Sequence, residues 1–387
     1  MRKMKKAAAL FMAAAMAASL SACGGGSSTG TTTAPTQAPA AEGSEAEGGA
    51  SADVDTSSFE GLDDVELIGA DNTSKGAAGQ LFGELVAAKV DEITGGKLTI
   101  DYHPNSELGD DGDILRQMQS NDIQIVVCQT APLVSFVPEA AVFDLPMVFS
   151  KYDGDTIDGV LNGDSAFRTE LSSAFDAAGF HYLGILQNAT YRLTTANKEL
   201  NTLADFKALQ IRTMNNSNHM AFWTAIGAEP TPLAWSEVYF ALQSGTIDAQ
   251  ENAADTCVGA NLNEVQKVLA CTNHILYANQ MTINKEAYDS LDPAYQAALN
   301  QAVTEALAEL RPQLSEIDEQ NKQTLVDKGM TLIEYDNAFY DEILNLDTVK
   351  KLYSDIDSQT ALDQLCRKLW KAHQNKSGYQ KPTGTVL

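Results

Sequence analysis

Residues 225–252 read AIGAEPTPLAWSEVYFALQSGTIDAQEN, and the segment Leu242–Ile247 (LQSGTI) within them predicts the end of a helix followed by a strand. A segment of similar pattern, Met118–Ile123 (MQSNDI), lies 124 residues earlier in the chain. Gly245 and Asn121 each stand just after a helix, where a residue with left-handed backbone is favoured. Two similar βα domains in one chain would produce such a repeated junction.

Helix and strand patterns alternate along the globular part of the chain, which runs from about Phe59 to Leu387. The first predicted elements are a strand at Val65–Ala70, a helix at Gln80–Asp91, a strand at Leu98–Tyr102, a helix at Asp113–Ser120 and a strand at Ile123–Cys128. This alternation predicts an α/β fold with parallel sheets and crossover helices. About 330 residues are enough for two such domains.

One predicted helix is unusually long. Asp292 fits the N-cap position, Pro293 fits the first helical position, and Gly329 marks the end. Apolar residues keep steps of three and four between these limits, and Pro312 should bend the helix where it interrupts it. A helix of this length is too long for one small domain, so we expect it to lie across both.

The first residues predict export from the cell. Met1–Lys6 carries four cations, and Ala7–Leu20 is almost entirely Ala, Met, Leu and Phe. We interpret residues 1–22 as a secretory signal, too short to span a bilayer as a stable helix. Leu20–Cys23 (LSAC) resembles the bacterial lipobox, which implies lipidation of Cys23 and attachment to the outer face of the cell membrane. The alternative is an ordinary signal peptide with a chance cysteine.

The composition of the segment after Cys23 and the overall charge narrow the range of possible functions. Residues 24–58 consist largely of Gly, Ser, Thr, Ala, Pro and Glu, a composition that predicts a disordered linker. The net charge is −26, and removal of the signal leaves 22 Lys and Arg against 52 Asp and Glu, or −30. This charge argues against nucleic acid as a partner. An anionic ligand could still bind where a few arginines meet inside a cleft.

The chain shows no motif of a common enzyme class. There is no P-loop and no HExxH, and Gly26–Gly30 (GSSTG) matches the nucleophile pattern G-x-S-x-G without a strand before it. The five histidines show no i,i+4 pair, which argues against a metal site. Because the enzyme motifs are missing, we expect no catalysis, and we expect no cofactor. The cysteines beyond Cys23 are predicted to be buried free thiols, with one disulfide left open: Cys128, Cys257, Cys271 and Cys366.

A series of segments in the globular part carries a family resemblance. They are Pro104–Asp111 (PNSELGDD), Leu145-Pro146, Lys207–Met214, Ala225–Pro232, Trp235–Tyr239 (WSEVY), Ala241–Gly245 and Asp248–Asn252 (DAQEN). In this order they resemble the DctP-type solute receptors of TRAP transporters, which are tripartite ion-coupled uptake systems. Ala253 departs from the family, which usually has proline there.

The resemblance implies an α/β clamshell of two domains, similar to type II periplasmic binding proteins, with hinge strands and a long helix spanning both lobes. The expected hinges lie near residues 188–192 and 275–280. The expected division is lobe I at 59–189 and 278–317, lobe II at 190–277 and 318–375, and a C-terminal tail at 376–387.

The resemblance also implies a ligand site in the second lobe. Arg212 corresponds to the arginine that pairs with the ligand carboxylate, and Arg192 to a second arginine. Asn252 corresponds to the family's asparagine, and Trp235 to an aromatic residue that packs near the ligand. A planar guanidinium can form two parallel hydrogen bonds with a carboxylate. Asn252 offers a donor and an acceptor, and Trp235 a rigid apolar wall.

The first lobe is expected to contribute residues from loops that follow its strands, because such loops line ligand clefts. These residues are Asn72, Thr73, Gln129 and Thr130. Gln129 stands where sialic-acid binders of the family carry a carboxylate, which argues against a pocket of that type. Two further residues are interpreted as structural: Glu237 as a buried carboxylate, and His274.

The implied function is capture of a small organic anion, a sugar acid such as a uronate or a C4-dicarboxylate. A monomeric receptor would deliver it to the small and large membrane subunits of a TRAP transporter. A binding lipoprotein of an ABC-type uptake or ligand-sensing system is the alternative, and a secreted hydrolase is the third. The sequence leaves open the identity of the acid, the coupling ion and the resting conformation.

Overall fold

The computed structural model describes residues 56–150 and 152–357. The predicted signal, Cys23, most of the linker, Cys366 and the C-terminal tail lie outside these residues. The strands are β1 Val65–Asp71, β2 Leu98–His103, β3 Ile125–Gln129, β4 Phe180–Leu186, β5 Leu193–Ala196, β6 Gln210–Thr213, β7 Glu229–Pro232, β8 Ala249–Asn252, β9 Val268–Ala270, β10 Asn279–Asn284 and β11 Thr331–Ile333.

The α-helices follow the same alternation. They are α1 Ala78–Thr94, α2 Asp111–Gln119, α3 Thr130–Leu133, α4 Gly154–Leu161, α5 Ala166–Ala177, α6 Ser217–Ala225, α7 Trp235–Ser244, α8 Ala254–Gly259, α9 Lys285–Ser290, α10 Pro293–Leu310, α11 Leu314–Asp327, α12 Asn337–Asn345 and α13 Asp347–Asp357. Short 3₁₀ helices add Ser57–Phe59, Pro138–Asp144, Leu203–Phe206, Leu262–Glu264 and Arg311–Gln313.

The strands form two sheets of mixed direction. The first has the order β2-β1-β3-β10-β4 and the second β11-β9-β5-β8-β6-β7. Most paired strands are parallel, as predicted, but β10 is antiparallel to β3 and β4, and β5 is antiparallel to β8 and β9. The prediction of parallel sheets therefore holds for five of the nine pairs of named strands, and each sheet also contains one strand that runs against its neighbours. In each sheet the chain crosses over at the edge where the parallel strands end. Strands β5 and β10 each enter from the other sheet at that edge, so they run antiparallel to their neighbours.

Each sheet is covered by helices on both faces, and each sheet with its helices is a lobe below. In the first lobe, α1, α9 and α10 cover one face of the sheet, and α2, α4 and α5 cover the other. In the second lobe, α6, α12 and α13 cover one face, and α7, α8 and α11 cover the other. The lobes so defined are the layered α/β sandwiches that the alternation predicts.

The helix ends that local sequence patterns predicted are confirmed. Gly95, Asn121 and Gly245 have left-handed backbones with φ of 60°, 61° and 72°. The Asp292 side chain accepts a hydrogen bond of 2.9 Å from Ala294 N and so caps α10. These contacts are between near neighbours in sequence, which is why the sequence could predict them.

The predicted long helix is present and is broken at Pro312. Helix α10 ends at Leu310, the turn Arg311–Gln313 contains the proline, and α11 follows. Leu314 packs in a core of the first lobe, and Leu325 packs in a core of the second. The helix pair therefore spans both lobes, as expected.

Two further chain crossings join the lobes side by side. One lies between β4 and β5 and the other between β9 and β10. Arg192 N donates to Ile275 O over 2.9 Å, and Tyr277 N donates to Thr190 O over 2.9 Å. The crossings lie at the expected hinges, while the exact lobe boundaries stay a prediction.

Gly83→Ala should destabilise the first lobe. A Cβ at Gly83 would lie 1.9 Å from Cζ and Oη of Tyr102. The Tyr102 hydroxyl donates to Asp71 Oδ2 over 2.7 Å, which holds the ring in place. We expect a loss of about 1–3 kcal/mol in the free energy of unfolding, measured in urea. Gly159→Ala is the control, because Gly159 is exposed in α4 with nothing within 4 Å of a Cβ. It should gain about 0.5–1 kcal/mol, and equal effects of the two changes would contradict the clash.

Candidate functional site

The lobes meet where the parallel strands of both sheets end, and polar side chains are buried there. Gln129, at the end of β3, reaches across to the second lobe. Its Nε2 donates to Asn252 Oδ1 over 3.2 Å, and its Oε1 accepts from Arg192 Nη1. Three of the predicted site residues, one from the first lobe and two from the second, are thus joined directly.

Arg212 is buried in β6 and is oriented by the backbone. Only 3% of the residue is exposed. Its Nε and Nη2 both donate to Leu233 O, over 2.9 and 2.6 Å, and its Cζ lies 5.5 Å from the centroid of the Trp235 ring. Its Nη1 has no hydrogen-bond partner among the described residues. One corner of a fixed guanidinium therefore remains to bind an anion.

The charge of Arg212 survives its burial. Burial lowers the pKa of the guanidinium to about 10, while Glu251 and Asp111 act in the opposite direction. Arg212 is therefore still a cation at neutral pH. Because it is buried, its charge is only weakly screened by solvent. A carboxylate bound there would gain more from the charge than it would at the surface.

Arg192 is engaged by the protein itself. Its Nε and Nη2 pair with the Glu251 carboxylate, Nη2 to Oε1 over 2.9 Å, and Nη2 also donates to Glu251 O over 2.7 Å. With Nη1 bound to Gln129, each nitrogen of the guanidinium has a protein acceptor. Arg192 thus has a structural partner that sequence reasoning did not foresee, and a direct ligand contact from it stays a prediction.

Glu251 is the centre of a buried charge cluster. Besides Arg192 it contacts His274 Nε2 at 3.0 Å and His219 Nδ1 at 3.6 Å, and the side chains of Glu251 and both histidines are fully buried. Burial alone would raise the pKa of the carboxyl, but Arg192, His219 and His274 together hold it well below its usual value. Glu251 is therefore ionised at neutral pH.

His219 connects this cluster to the first lobe. Its Nε2 lies 3.1 Å from Asp144 Oδ1, and Asn216 Nδ2 donates to Asp144 Oδ2 over 2.8 Å. Asp144 ends the 3₁₀ helix Pro138–Asp144, whereas His219 and Asn216 lie at the start of α6. Burial lowers the pKa of His219, but Asp144 and Glu251 outweigh it and raise the pKa to about 9. A charged His219 thus ties the lobes together.

Each lobe also caps a helix of the other. Asp255, in α8, accepts a hydrogen bond of 2.9 Å from Ala78 N at the start of α1. Asp110 accepts one of 2.9 Å from Ser236 Oγ, at the start of α7. Helix N-termini carry unpaired N–H groups and partial positive charge, so both carboxylates are well placed. The structure therefore shows the lobes in contact with each other.

The loops of the first lobe hold the other predicted residues. Thr73 donates to Asp71 Oδ1 through both N and Oγ1, each over 2.8 Å, so its hydroxyl serves the loop itself. Asn72 is buried and lowers the pKa of Asp111, against the larger effect of burial, which raises that pKa to about 7, and Thr130 is buried at the start of α3. Asp111 of the first lobe and Arg212 of the second shift each other's pKa in the direction that favours the charged forms.

Sequence reasoning misplaced one carboxylate and missed others. Glu237 is exposed on α7, so its interpretation as a buried carboxylate is wrong, whereas His274 is buried and packed as predicted. The missed residues are Asp111, Asp144, His219 and Glu251. Two of these residues could have been found from the sequence, because Asp111 ends the family segment PNSELGDD and Glu251 lies in the family segment DAQEN. The cysteines within the described part, Cys128, Cys257 and Cys271, are buried and free.

Two α/β lobes joined by three crossings, with an oriented guanidinium buried where they meet, define a clamshell binding protein. The chain belongs to family 7 of the bacterial extracellular solute-binding proteins, the DctP family, whose sequence profile matches residues 68–353. Members of this family are extracytoplasmic receptors that work with TRAP membrane subunits. In the described part of the chain, no helix has the length and apolar character to cross a membrane.

Similar proteins support this assignment. A solute-binding protein of Verminephrobacter eiseniae is 31% identical over 70% of this chain and 78% of its own length. The C4-dicarboxylate-binding periplasmic protein DctP of Rhodobacter capsulatus is 29% identical over 71% of this chain and 81% of its own. The crystal structure of a TRAP solute-binding protein from Sulfitobacter, with bound β-D-galacturonate, superposes with a TM-score of 0.72 at 23% identity, covering 79% of this chain and 100% of that one. The predicted clamshell fold is thereby confirmed.

Proposed function

We propose that this protein is the receptor of a TRAP transporter and captures a small carboxylate-bearing solute between its lobes. The observation that carries the proposal is Arg212, a buried cation held by Leu233 O and Trp235 with Nη1 unpaired within the described structure. A carboxylate oxygen completes this arrangement. The R. capsulatus relative is named for C4-dicarboxylates and the Sulfitobacter structure holds a uronate, and both ligands carry such a group.

Capture proceeds in two steps. With the lobes apart, the solute docks on Arg212 in the second lobe. Closure then brings Gln129 and Asn72 of the first lobe toward it and excludes water, which strengthens the charge interaction. The solute favours the closed state because only that state offers contacts from both lobes. The membrane subunits recognise the closed form and couple release to an ion gradient.

The sequence at the N-terminus completes the proposal. Residues 1–22 direct export, Cys23 receives a lipid, and residues 24–58 tether the globular part to the outer face of the membrane. The receptor works as a monomer, since its site is formed by the two lobes of one chain. Metabolic labelling with a fatty acid tests this lipidation: the wild type should incorporate the label and the Cys23→Ala variant should not.

A thermal-shift screen tests the proposed ligand class. The mature chain is heated with sugar acids, C4-dicarboxylates, keto acids and aromatic acids, each beside its neutral amide or lactone. A ligand at one hundred times its Kd should add about 2.7 kcal/mol of stability. We expect at least one acid to raise the unfolding temperature while its neutral counterpart does not. Stabilisation by neutral compounds alone would overturn the carboxylate anchor.

A further inference from the structure

His219 is buried between two carboxylates, one from each lobe. Its Nε2 lies 3.1 Å from Asp144 Oδ1 in the first lobe, and its Nδ1 lies 3.6 Å from Glu251 Oε1 in the second, at the distance of an ion pair. The side chains of all three residues are fully buried. A neutral imidazole carries a single N–H, so one of its nitrogens would face a carboxylate with a lone pair. Only the protonated ring matches both neighbours.

His274 shows the contrast within the same cluster. Its Nε2 lies 3.0 Å from Glu251 Oε2, but its Nδ1 lies 3.0 Å from the Thr272 hydroxyl, which can donate or accept. A neutral His274 therefore satisfies both of its neighbours. Burial lowers its pKa, against the effect of Glu251, and the charges of Arg192 and His219 lower it further. Of the two histidines beside Glu251, the arrangement holds His219 as the cation.

Asp144 is the part of this arrangement that belongs to the first lobe. Phe143 and Leu145, on either side of it, pack in a core of that lobe. The Asp144 carboxylate is turned instead to the start of α6 in the second lobe, where Oδ2 accepts from Asn216 Nδ2 over 2.8 Å and Oδ1 faces His219. The contact of His219 with Asp144 therefore depends on how the lobes stand to each other, whereas its contact with Glu251 lies within one lobe.

We propose that closure of the lobes on a solute takes up a proton from the solvent, and that His219 receives it. When the lobes part, the first lobe carries Asp144 away and Glu251 is the carboxylate that stays beside the imidazole. Closure brings Asp144 back to a buried position, and the added proton then matches both carboxylates. The proton leaves a buffer acid and joins a ring nitrogen, and no bond between heavy atoms changes. This inference rests on the proposed function, because the solute drives the closure.

The linkage between closure and protonation fixes the sign of the pH effect. Among the described residues, the charged groups around His219 are Asp144 and Glu251, with Arg192 and His274 on the far side of Glu251. In the closed structure burial lowers the pKa of His219, but the two carboxylates outweigh it and raise the pKa to about 9. Loss of one carboxylate on opening returns the pKa toward its ordinary value of 6.5. The closed state then binds more protons, so affinity is highest at low pH and falls by at most about tenfold per pH unit up to the closed-state pKa.

Asp111 is a second group whose protonation changes near neutral pH. Burial raises its pKa to about 7, with Asn72 and Arg212 acting against burial. At pH 8 the Asp111 carboxyl is mostly ionised whether the lobes are open or closed. His219 is then mostly neutral in the open receptor and mostly protonated in the closed one. A measurement at pH 8 therefore isolates the proton of His219.

Calorimetry in two buffers counts this proton. D-galacturonate, succinate and the other acids of the thermal-shift panel are titrated into the mature chain at pH 8, once in Tris and once in HEPES. The two buffers differ in ionisation enthalpy, so a proton taken from the buffer changes the measured enthalpy of binding. We expect uptake of about 0.5 to 1 proton for each solute bound, with the same count for different acids.

Two variants and a matched control assign the proton. His219→Gln keeps a polar side chain that does not titrate, and Asp144→Asn removes the charge that closure brings to the ring. In each variant the uptake should fall below about 0.2 proton. His181→Gln is the control, because His181 Nδ1 lies 3.0 Å from Asp176 Oδ1 within the first lobe, and closure does not alter that pair. The count in His181→Gln should equal that of the wild type.

The outcomes separate this inference from the proposed function. If acids bind without proton uptake at pH 8, or if either variant takes up as many protons as the wild type, the role of His219 is wrong while the carboxylate receptor stands. If no acid of the panel binds the wild type, both proposals fall. A merely structural role would make His219→Gln weaker by the same factor at every pH. We expect that factor to shrink instead as the pH rises through about 9, where the wild type loses the proton too.

Discussion

Arg212→Ala should weaken binding of the solute by roughly thirty- to several-thousand-fold. The solute's charge would lose its partner in a buried site, a penalty of about 2–5 kcal/mol. Arg212→Lys should also bind less well. A lysine cannot keep the two hydrogen bonds to Leu233 O and still present a third donor at a fixed angle. Isothermal calorimetry with an acid found by the thermal-shift screen gives both affinities.

A matched control separates the site from the overall charge. Arg116→Ala removes an exposed arginine of α2 that pairs with Asp113, and its effect on affinity should be less than twofold. Equal losses for Arg212→Ala and Arg116→Ala would reduce the role of Arg212 to bulk electrostatics. An unchanged affinity in Arg212→Ala would remove the anchor altogether.

Glu251→Ala should strongly destabilise the second lobe. It leaves the Arg192 guanidinium, which is 1% exposed, without its carboxylate partner, and removes an acceptor of His274. Breaking a buried ion pair from one side costs about 3–5 kcal/mol. Urea unfolding measures the loss. Glu237→Ala, an exposed carboxylate of α7, should change stability by less than about 0.5 kcal/mol.

The same variant should show a characteristic pH dependence. Because the folded-state pKa of Glu251 lies well below its ordinary value of 4.5, its stabilising contribution is fully present above pH 4.5. That contribution is lost as the pH falls through the folded-state pKa. The difference between wild type and Glu251→Ala should therefore shrink in acid. A difference that stays constant between pH 7 and pH 3 would show that the Glu251 charge does not stabilise the fold.

The parts of the fold that the sequence predicted are those fixed by near neighbours. Gly245 and Asn121 end helices because their own backbones favour the left-handed region, and Asp292 caps the residue two positions on. The directions of β5 and β10 depend instead on where the chain re-enters each sheet. No local pattern records that re-entry, so the sequence predicted parallel sheets.

The candidate site divides in the same way. Arg212 and Trp235 were found because each lies in a motif of the family, but the partner of Arg192 was missed. Glu251 is 59 residues from Arg192 and 23 from His274. A run of polar residues in a short strand gives no sign that it is buried. Glu251 is buried because the two lobes meet there, and that contact is visible only in the folded structure.

The contacts of Asp255 with Ala78 and of Asp144 with His219 join the lobes without any ligand atom. Contacts of this kind stabilise the closed lobes, and they therefore raise the fraction of unliganded receptor that is closed. A measured dissociation constant contains that fraction as a common factor. The factor cancels when two solutes are compared on one receptor, and it does not cancel between receptors. The relative affinities of different solutes for this protein therefore depend only on their contacts in the cleft. The dissociation constant of any one solute also depends on how stable the closed, unliganded state is.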